Sequence, residues 1–129
     1  MTRNELIEFI TENYNTKPEY PFEAYPDVAV FRHQSNRKWF AVIMSVSGIK
    51  LGLDSKDNIH IVNLKCPLEI GDSFRLENGI FPAYHMNKAH WLSAALDGSV
   101  DNDTLELLLA ISHSSTAPKI SRKKSPSKK

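Results

Sequence analysis

The stretch KWFAVIMSV, residues 38–46, constrains the possible fold more than any other part of the sequence. In a strand, alternate side chains point to opposite faces, and here both sets are apolar. One face would carry Phe40, Val42, Met44 and Val46, and the other would carry Trp39, Ala41 and Ile43. Strands that are apolar on both faces are typical of sheets covered on both sides. The sequence therefore predicts a central strand.

Two hairpins are predicted around this stretch. VAVFRH (28–33) and KWFAVIMSV (38–46) flank the short polar turn QSN. IKLGL (49–53) and IHIVNL (59–64) flank DSKDN and form the second predicted hairpin. Short apolar runs separated by such turns are typical of antiparallel pairs. A further strand is predicted in HWLSAAL, after an extended segment that contains a proline.

Three helices are predicted from their start signals. Thr2 and Glu5 form a capping box, so the first helix is expected to begin at Arg3. Pro67 suits the first position of the second helix. Asp101 is a good N-cap for the third. One apolar stripe on that helix is formed by Leu105, Leu108, Leu109 and Ser112. The order of elements predicts an α+β fold with a mainly antiparallel sheet.

Charge divides the chain into two parts. Residues 119–129, the basic segment, hold six Lys or Arg and no acid. Subtracting these six from the 16 basic residues leaves ten, against 15 acidic residues, so residues 1–118 carry a net charge of −5. Folded nucleic-acid-binding modules more often carry their own positive face, which counts against the body binding nucleic acid unaided. The composition predicts one domain in 1–115 and a disordered basic tail in 116–129.

The single cysteine, Cys66, excludes an internal disulfide and fits a reducing cytoplasm. It is predicted to be a small buried apolar residue rather than a nucleophile. The first residues do not resemble a signal peptide, and no apolar run approaches the roughly 20 residues of a membrane span. The chain also contains no nucleophile elbow, P-loop or dinucleotide-binding fingerprint. It is therefore expected to be a cytoplasmic protein without enzymatic activity or cofactor.

The segment HMNKAHW concentrates polar side chains at residues 85–91. His85 and His90 are five positions apart, and neither a helix nor a continuous strand places both on one face. No metal site is expected there. Three interpretations remain open. The segment forms a turn at Asn87 and Lys88 with its tryptophan packed inward, an exposed patch in which Lys88 meets a phosphate, or a pocket for a small ligand or protein.

HMNKAHW, followed by LDGSV and LLLAIS, resembles the MmcQ/YjbR-like family of small bacterial proteins. The resemblance extends over about residues 2–115 and includes the first helix, the hairpins and LKCP. It implies a CyaY-like (frataxin-like) α+β fold, in which helices pack on one side of an antiparallel sheet. It also implies a stand-alone cytoplasmic domain without known enzymatic activity. The signature polar residues of the family fall on His85, Asn87, Lys88, His90 and Trp91.

A DNA-binding role has been proposed for this family from a double-wing arrangement, and the resemblance implies it here. The two hairpins would be the wings. Phosphate contacts are expected from Arg32, Arg37, Lys38, Lys88, Arg122, Lys123 and Lys124. If all six cations of the basic segment engaged phosphates, the log–log salt slope would be about −4 to −5. The alternative is an adaptor that binds a protein or a small anionic ligand through residues 85–91. In both cases a monomer is expected.

Overall fold

The computed structural model describes residues 1–118, and the basic segment lies outside the described residues. Three helices are α1 (Arg3–Tyr14), α2 (Leu68–Phe74) and α3 (Asn102–Thr116). The strands are β1 (Ala29–Arg32), β2 (Trp39–Ser47), β3 (Asn58–Lys65), β4 (Ile80–Pro82) and β5 (Trp91–Ala95). They form one sheet in the order β1-β2-β3-β5-β4, and every neighbouring pair is antiparallel. The predicted α+β class with an antiparallel sheet is confirmed.

Both predicted helix caps are present. The Thr2 hydroxyl accepts a hydrogen bond from the Glu5 backbone N–H at 3.2 Å, and the Glu5 carboxylate accepts one from the Thr2 N–H at 2.8 Å. Asp101 accepts from the Thr104 N–H at 2.7 Å. These bonds satisfy backbone donors that the first turn of a helix leaves without partners. In the part of the chain that the structure describes, no helix is long and apolar enough to cross a bilayer.

The main core lies between the sheet and the helices α1 and α3. The helices contribute the buried side chains of Leu6, Ile10, Leu105, Leu108 and Leu109. Alternate strand residues face them, and these are Phe31, Ile43, Val62, Leu64, Leu92 and Ala94. Both helices therefore pack on the same side of the sheet. On the opposite face of β2, Val42 and Val46 are also buried. The prediction that β2 is a central strand with buried residues on both faces is therefore confirmed.

A β-bulge in β2 overturns part of the predicted face assignment. Phe31 pairs with Ala41 and Arg32 pairs with Trp39, which leaves Phe40 as an extra residue in β2. Such an extra residue shifts the alternation of side chains along its strand. Phe40 lies in the helix-side core, and Trp39 lines the opposite face. The prediction was therefore wrong for these two residues, which exchange faces.

The predicted strand at 49–53 is also wrong. The strand β2 continues to Ser47 and pairs directly with β3, while Gly48–Leu51 forms a 3-10 helix in the connection. A Cβ on Gly48 would lie 2.8 Å from the Ser55 carbonyl oxygen, so only glycine fits this close approach. The second hairpin therefore consists of β2 and β3, and the 49–53 segment belongs to its loop.

A buried serine on α3 compensates for the bulge. The Ser112 hydroxyl donates to the Phe40 carbonyl oxygen at 2.6 Å and accepts from the Lys65 N–H at 2.8 Å. Both groups lie just beyond the last paired residues of β2 and β3. We expect Ser112→Ala to lower the free energy of unfolding by about 1–3 kcal/mol, because it leaves both groups without partners. Urea denaturation measures this loss.

Ser114→Ala is the matched control, because Ser114 is exposed on the same helix. Its effect is expected to stay within about 0.5 kcal/mol. Equal effects of the two substitutions would contradict the role assigned to Ser112.

Candidate functional site

The polar segment 85–91 is built around a turn at Asn87. The Asn87 carbonyl oxygen accepts hydrogen bonds from the His90 N–H at 3.1 Å and the Trp91 N–H at 2.9 Å. The Asn87 side chain accepts a third, from the Ala89 N–H at 2.9 Å. Asparagine is favoured at such positions because its side chain can replace a backbone acceptor. The turn interpretation of the segment thus holds for Asn87, and Trp91 is half-buried at the start of β5.

The same turn leaves the charged side chain of Lys88 exposed. The Lys88 carbonyl oxygen accepts a hydrogen bond from the Arg75 guanidinium at 3.0 Å, which ties the turn to α2. His90 is exposed as well, and its carbonyl oxygen accepts from the Cys66 N–H at 2.7 Å. The turn is therefore held through its backbone carbonyl oxygens, by the Arg75 side chain and by the Cys66 N–H, while its Lys and His side chains remain accessible to a partner.

His85 is separated from the rest of the segment. Its backbone is left-handed, with φ at 62°, and its ring lies 4.0 Å from that of Tyr84. The preceding backbone is anchored to the sheet, because the buried Ser93 hydroxyl accepts from the Tyr84 N–H at 3.0 Å and donates to Asn63. Asn63 in turn donates to the Tyr84 carbonyl oxygen at 3.1 Å. His85 thereby faces a cleft on the helix-free side of the sheet.

That cleft has a volume of about 560 Å³. Its floor is the outer face of β2, and its walls are the loop before β1 and the segment Tyr84–Met86. Of the predicted signature residues, His85 lines it, whereas Asn87, Lys88, His90 and Trp91 do not. The structure therefore divides the predicted cluster between two surfaces.

Three of the exposed cations lie at one end of the sheet. Arg32 pairs with Trp39, and Lys65 pairs with Trp91, so the first hairpin turn and the turn at 87–90 lie at the same end. Arg37, Lys38 and Lys88 are exposed there. We call this the basic end. Three of the predicted phosphate contacts thus lie at the same end of the sheet, although they are far apart in the sequence.

Glu19 pairs with two of the predicted phosphate contacts. The Arg32 guanidinium lies 3.1 Å from the Glu19 carboxylate and 5.9 Å from the centre of the Trp39 ring, whereas the Arg37 guanidinium lies 3.8 Å from the same carboxylate. The Arg32 side chain is only 17% exposed, compared with 55% for Arg37. Arg32 therefore holds the loop before β1 against the sheet, and Arg37 is the more accessible of the two arginines. Sequence reasoning missed Glu19, which has no local pattern linking it to the hairpin.

The C-terminal end of α3 is attached to the first hairpin turn. The Asn36 side chain donates to the Thr116 carbonyl oxygen at 2.9 Å, and His33 Nε2 lies 2.9 Å from the Thr116 hydroxyl. Thr116 is 2% exposed, so the fold extends beyond the predicted domain boundary at 115. The chain leaves the described domain at the basic end. Arg122, Lys123 and Lys124 lie outside the described residues.

Acidic residues lie at both ends of the sheet. At the end opposite the basic end, Ser47 pairs with Asn58, which places the loop of residues 48–57 there, with two aspartates and two lysines. Asp97 follows the end of β5, and Asp101 caps the start of α3. At the basic end, Glu19 is within 3.1 Å of Arg32, and Asp72 is within 3.0 Å of Arg75. The carboxylates of Glu19 and Asp72 are therefore paired with arginines.

Cys66 is 1% exposed, and burial raises the pKa of its thiol. A buried thiol with a raised pKa is a poor nucleophile. The prediction that Cys66 is a buried apolar residue is confirmed. Among residues 1–118, no three His, Cys, Asp or Glu side chains come together in a group that could hold a metal ion.

A histidine cluster supports the junction between α3 and the hairpin. The His113 ring lies 4.4 Å from that of His33, 4.6 Å from that of Tyr14 and 4.8 Å from that of Phe40. Burial, and then the neighbouring His33, lower the pKa of His113 below its ordinary value of 6.5. Folding thus favours the neutral imidazole.

The pH dependence of stability follows from the direction of that shift. At pH values between the ordinary histidine pKa of 6.5 and the lower pKa of His113 in the fold, the unfolded chain binds a proton at His113 more readily than the folded protein does. We therefore expect the free energy of unfolding to fall as the pH is lowered from 7.5 to 5.5. The pKa values of Asp97 and Asp101 are lowered from 3.8, so these two residues change the stability only at a more acidic pH. Urea denaturation of His113→Gln should show a weaker pH dependence of the free energy of unfolding than the parent protein, and an equal dependence would contradict the role of His113.

Comparison with known proteins places these features in a family. A family model described as YjbR matches residues 11–115. The chain is 48% identical over 97 residues to the uncharacterized protein YyaQ of Bacillus subtilis, which covers 75% of this chain and 82% of that protein. A crystal structure of a Pseudomonas syringae protein matches with a TM-score of 0.88 at 38% identity, covering 91% of this chain and 100% of that one.

A more distant structural match has the same arrangement. The crystal structure of Deinococcus radiodurans protein DR2400 matches with a TM-score of 0.69 at 26% identity, and the match covers 95% of this chain and 86% of that one. The family model spans the sheet, α2, α3 and the whole of the polar segment 85–91. The chain therefore belongs to the YjbR family, and the resemblance to the MmcQ/YjbR-like proteins is confirmed.

Proposed function

We propose that this protein is a non-enzymatic DNA-binding domain whose basic end contacts the phosphate backbone. Arg37, Lys38 and Lys88 are the contacts from the folded domain, and Arg122, Lys123 and Lys124 are contacts from the basic segment. Most protein contacts to DNA go to phosphate and sugar, and Lys and Arg supply many of them. The proposal places the protein in the cytoplasm as a monomer.

The hydrogen bond between Asn36 and Thr116 is the observation that carries this proposal. It fixes the end of α3 against the hairpin turn that presents Arg37 and Lys38. The six cations of the basic segment therefore begin a few residues from an exposed pair of cations. Clustered positive charge attracts a polyanion more strongly than the same charges spread over an acidic surface.

In the double-wing, CyaY-like arrangement, only one of the two wings is proposed to contact DNA. The hairpin of β1 and β2 is the wing that meets DNA, because its turn lies at the basic end. The hairpin of β2 and β3 points its loop toward the opposite end, where Asp54 and Asp57 offset the charges of Lys50 and Lys56. The two wings are thus unequal, and only one of them contributes to binding.

Fluorescence anisotropy of a labelled duplex at about 50 and 200 mM salt tests this proposal. Replacing Arg37 and Lys38 together by Gln is expected to weaken binding at low salt and to reduce the log–log salt slope by about 0.9 per lost contact. The matched control replaces Lys50 and Lys56 by Gln in the loop at the opposite end of the sheet, which changes the net charge by the same amount. If both double variants lose affinity equally, net charge and not the basic end controls binding.

A further inference from the structure

The cleft on the helix-free face is a second candidate site, separate from the basic end. Its floor is apolar, with Val42 1% exposed and Val46 5% exposed. Its volume of about 560 Å³ falls within the range of roughly 300–1,000 Å³ that is usual for small-molecule sites. Aromatic side chains line much of the rest, and these are Phe22, Tyr25, Trp39 and Tyr84.

Hydrogen bonds and ring contacts hold the walls in place without a ligand. The Asn63 and Ser93 side chains fix the backbone of Tyr84, and they are fully buried. On the other wall, the Phe22 ring meets the Trp39 ring edge to face at 6.1 Å. His85, next to Tyr84, keeps a left-handed backbone that is rare for residues with a side chain. A site built in this way binds without first having to be ordered.

The charge of Lys50 favours an anionic ligand in the cleft. Lys50 lines the cleft, together with His85 and the hydroxyl residues Ser45 and Ser47. Among the described residues, no Asp or Glu lines the cleft. The whole loop of residues 48–57 carries two lysines and two aspartates, so it offers no net positive charge to an extended polyanion. A small ligand with one acidic group can instead interact with Lys50 alone.

We propose that the cleft binds a small aromatic organic anion, such as an aryl carboxylate or sulfonate. The planar ring packs among the four aromatic side chains, which favour offset-stacked and edge-to-face contacts. The acidic group forms a charge-assisted interaction with the Lys50 ammonium. This site lies outside the proposed DNA contacts, so the inference does not depend on DNA binding.

Two fluorescent probes of similar size separate the aromatic and ionic contributions. 1-Anilinonaphthalene-8-sulfonate carries the anion, and N-phenyl-1-naphthylamine lacks it. We expect the sulfonate to bind saturably at one site in the full-length protein. Lys50→Gln is expected to weaken it roughly tenfold, the size of one charge-assisted contact, and to leave the neutral probe unchanged. Lys56→Gln is the matched control, since Lys56 is an exposed cation of the same loop that does not line the cleft.

A substitution in the floor of the cleft tests the site independently of Lys50. Met44→Glu places an acid in the floor of the cleft and is expected to abolish binding of both probes, with near-ultraviolet circular dichroism confirming the fold. Non-fluorescent 2-naphthoate should displace the sulfonate, whereas duplex DNA should not. Equal losses in Lys50→Gln and Lys56→Gln would overturn the proposal. So would light scattering that shows a dimer together with failure of the sulfonate to bind, because a second copy would then occupy the cleft.

Discussion

Removal of residues 119–129 is expected to reduce the log–log salt slope of duplex DNA binding by about 5, at about 0.9 for each cation. The segment carries six cations and no acid, and each phosphate that it neutralises releases counterions from the duplex. Between 50 and 200 mM salt, a slope of this size corresponds to a roughly 10²–10³-fold loss of affinity. Residues 1–118 alone should show only the shallow dependence that Arg37, Lys38 and Lys88 can supply.

The control for this truncation keeps the chain length and changes only the charge. In it, all six Lys and Arg of the basic segment are replaced by Gln. If the truncated and substituted proteins both keep the full slope, the folded domain alone binds DNA and the basic segment has no part in it. If neither they nor the parent protein binds, the DNA-binding proposal fails and the cleft becomes the principal candidate site.

Gly79→Ala is expected to lower the free energy of unfolding by about 2–4 kcal/mol. Gly79 has φ at 88°, where a side chain is strained. An added Cβ would also lie 2.3 Å from the Ser99 hydroxyl oxygen and 2.7 Å from a Val100 methyl carbon. Because Val100 is 4% exposed and packs in the core, it has little room to move. Urea denaturation gives the loss directly.

Gly98→Ala separates backbone strain from the clash. Gly98 has φ at 91°, but a Cβ built on it meets nothing within 4 Å. Its substitution should therefore cost only the strain of the left-handed backbone, about 1–2 kcal/mol. The difference between the two variants measures the crowding at Gly79. Equal losses of unfolding free energy in the two variants would show that Ser99 and Val100 move away from the added Cβ at no cost in stability.

The helix boundaries were predictable because their signals are local. The capping pairs of α1 and α3 involve residues three apart, so a short window contains the whole interaction. The apolar stripe of α3 was equally accessible, since Leu105, Leu108 and Leu109 follow the helical period and are all buried. The same stripe also included Ser112, but the sequence did not indicate that its hydroxyl would bond to the backbone of Phe40 and Lys65.

The predicted strand faces and strand bounds were wrong where residues distant in the sequence determine the local backbone structure. The bulge at Phe40 depends on Ser112, 72 positions along the chain, which supplies a donor for its carbonyl oxygen. No window around Phe40 contains that information. The 49–53 segment has an alternating pattern, but Gly48 and Gly52 permit a compact turn that lets β2 run directly into the hairpin with β3.

The candidate site was only partly predictable for the same reason. The turn at Asn87 follows from the chemistry of one side chain, whereas the separation of His85 from Lys88 depends on Asn63 and Ser93 in other strands. The placement of Arg37, Lys38 and Lys88 at the same end of the sheet follows from strand register, which the sequence does not reveal. Charge counting gave the net charge but not the positions of the charged side chains in the sheet.

The two edges of the sheet differ from those of an aggregation-prone protein. At one edge, β4 has only three residues and ends in Pro82, which has no N–H to offer to another strand. At the other, Glu19 exchanges both backbone hydrogen bonds with Val30, at 2.8 Å each, and so occupies the exposed side of β1. Within residues 1–118, neither edge presents a long row of free backbone groups that could template a neighbouring chain. The fold should therefore resist edge-to-edge polymerisation even at high protein concentration.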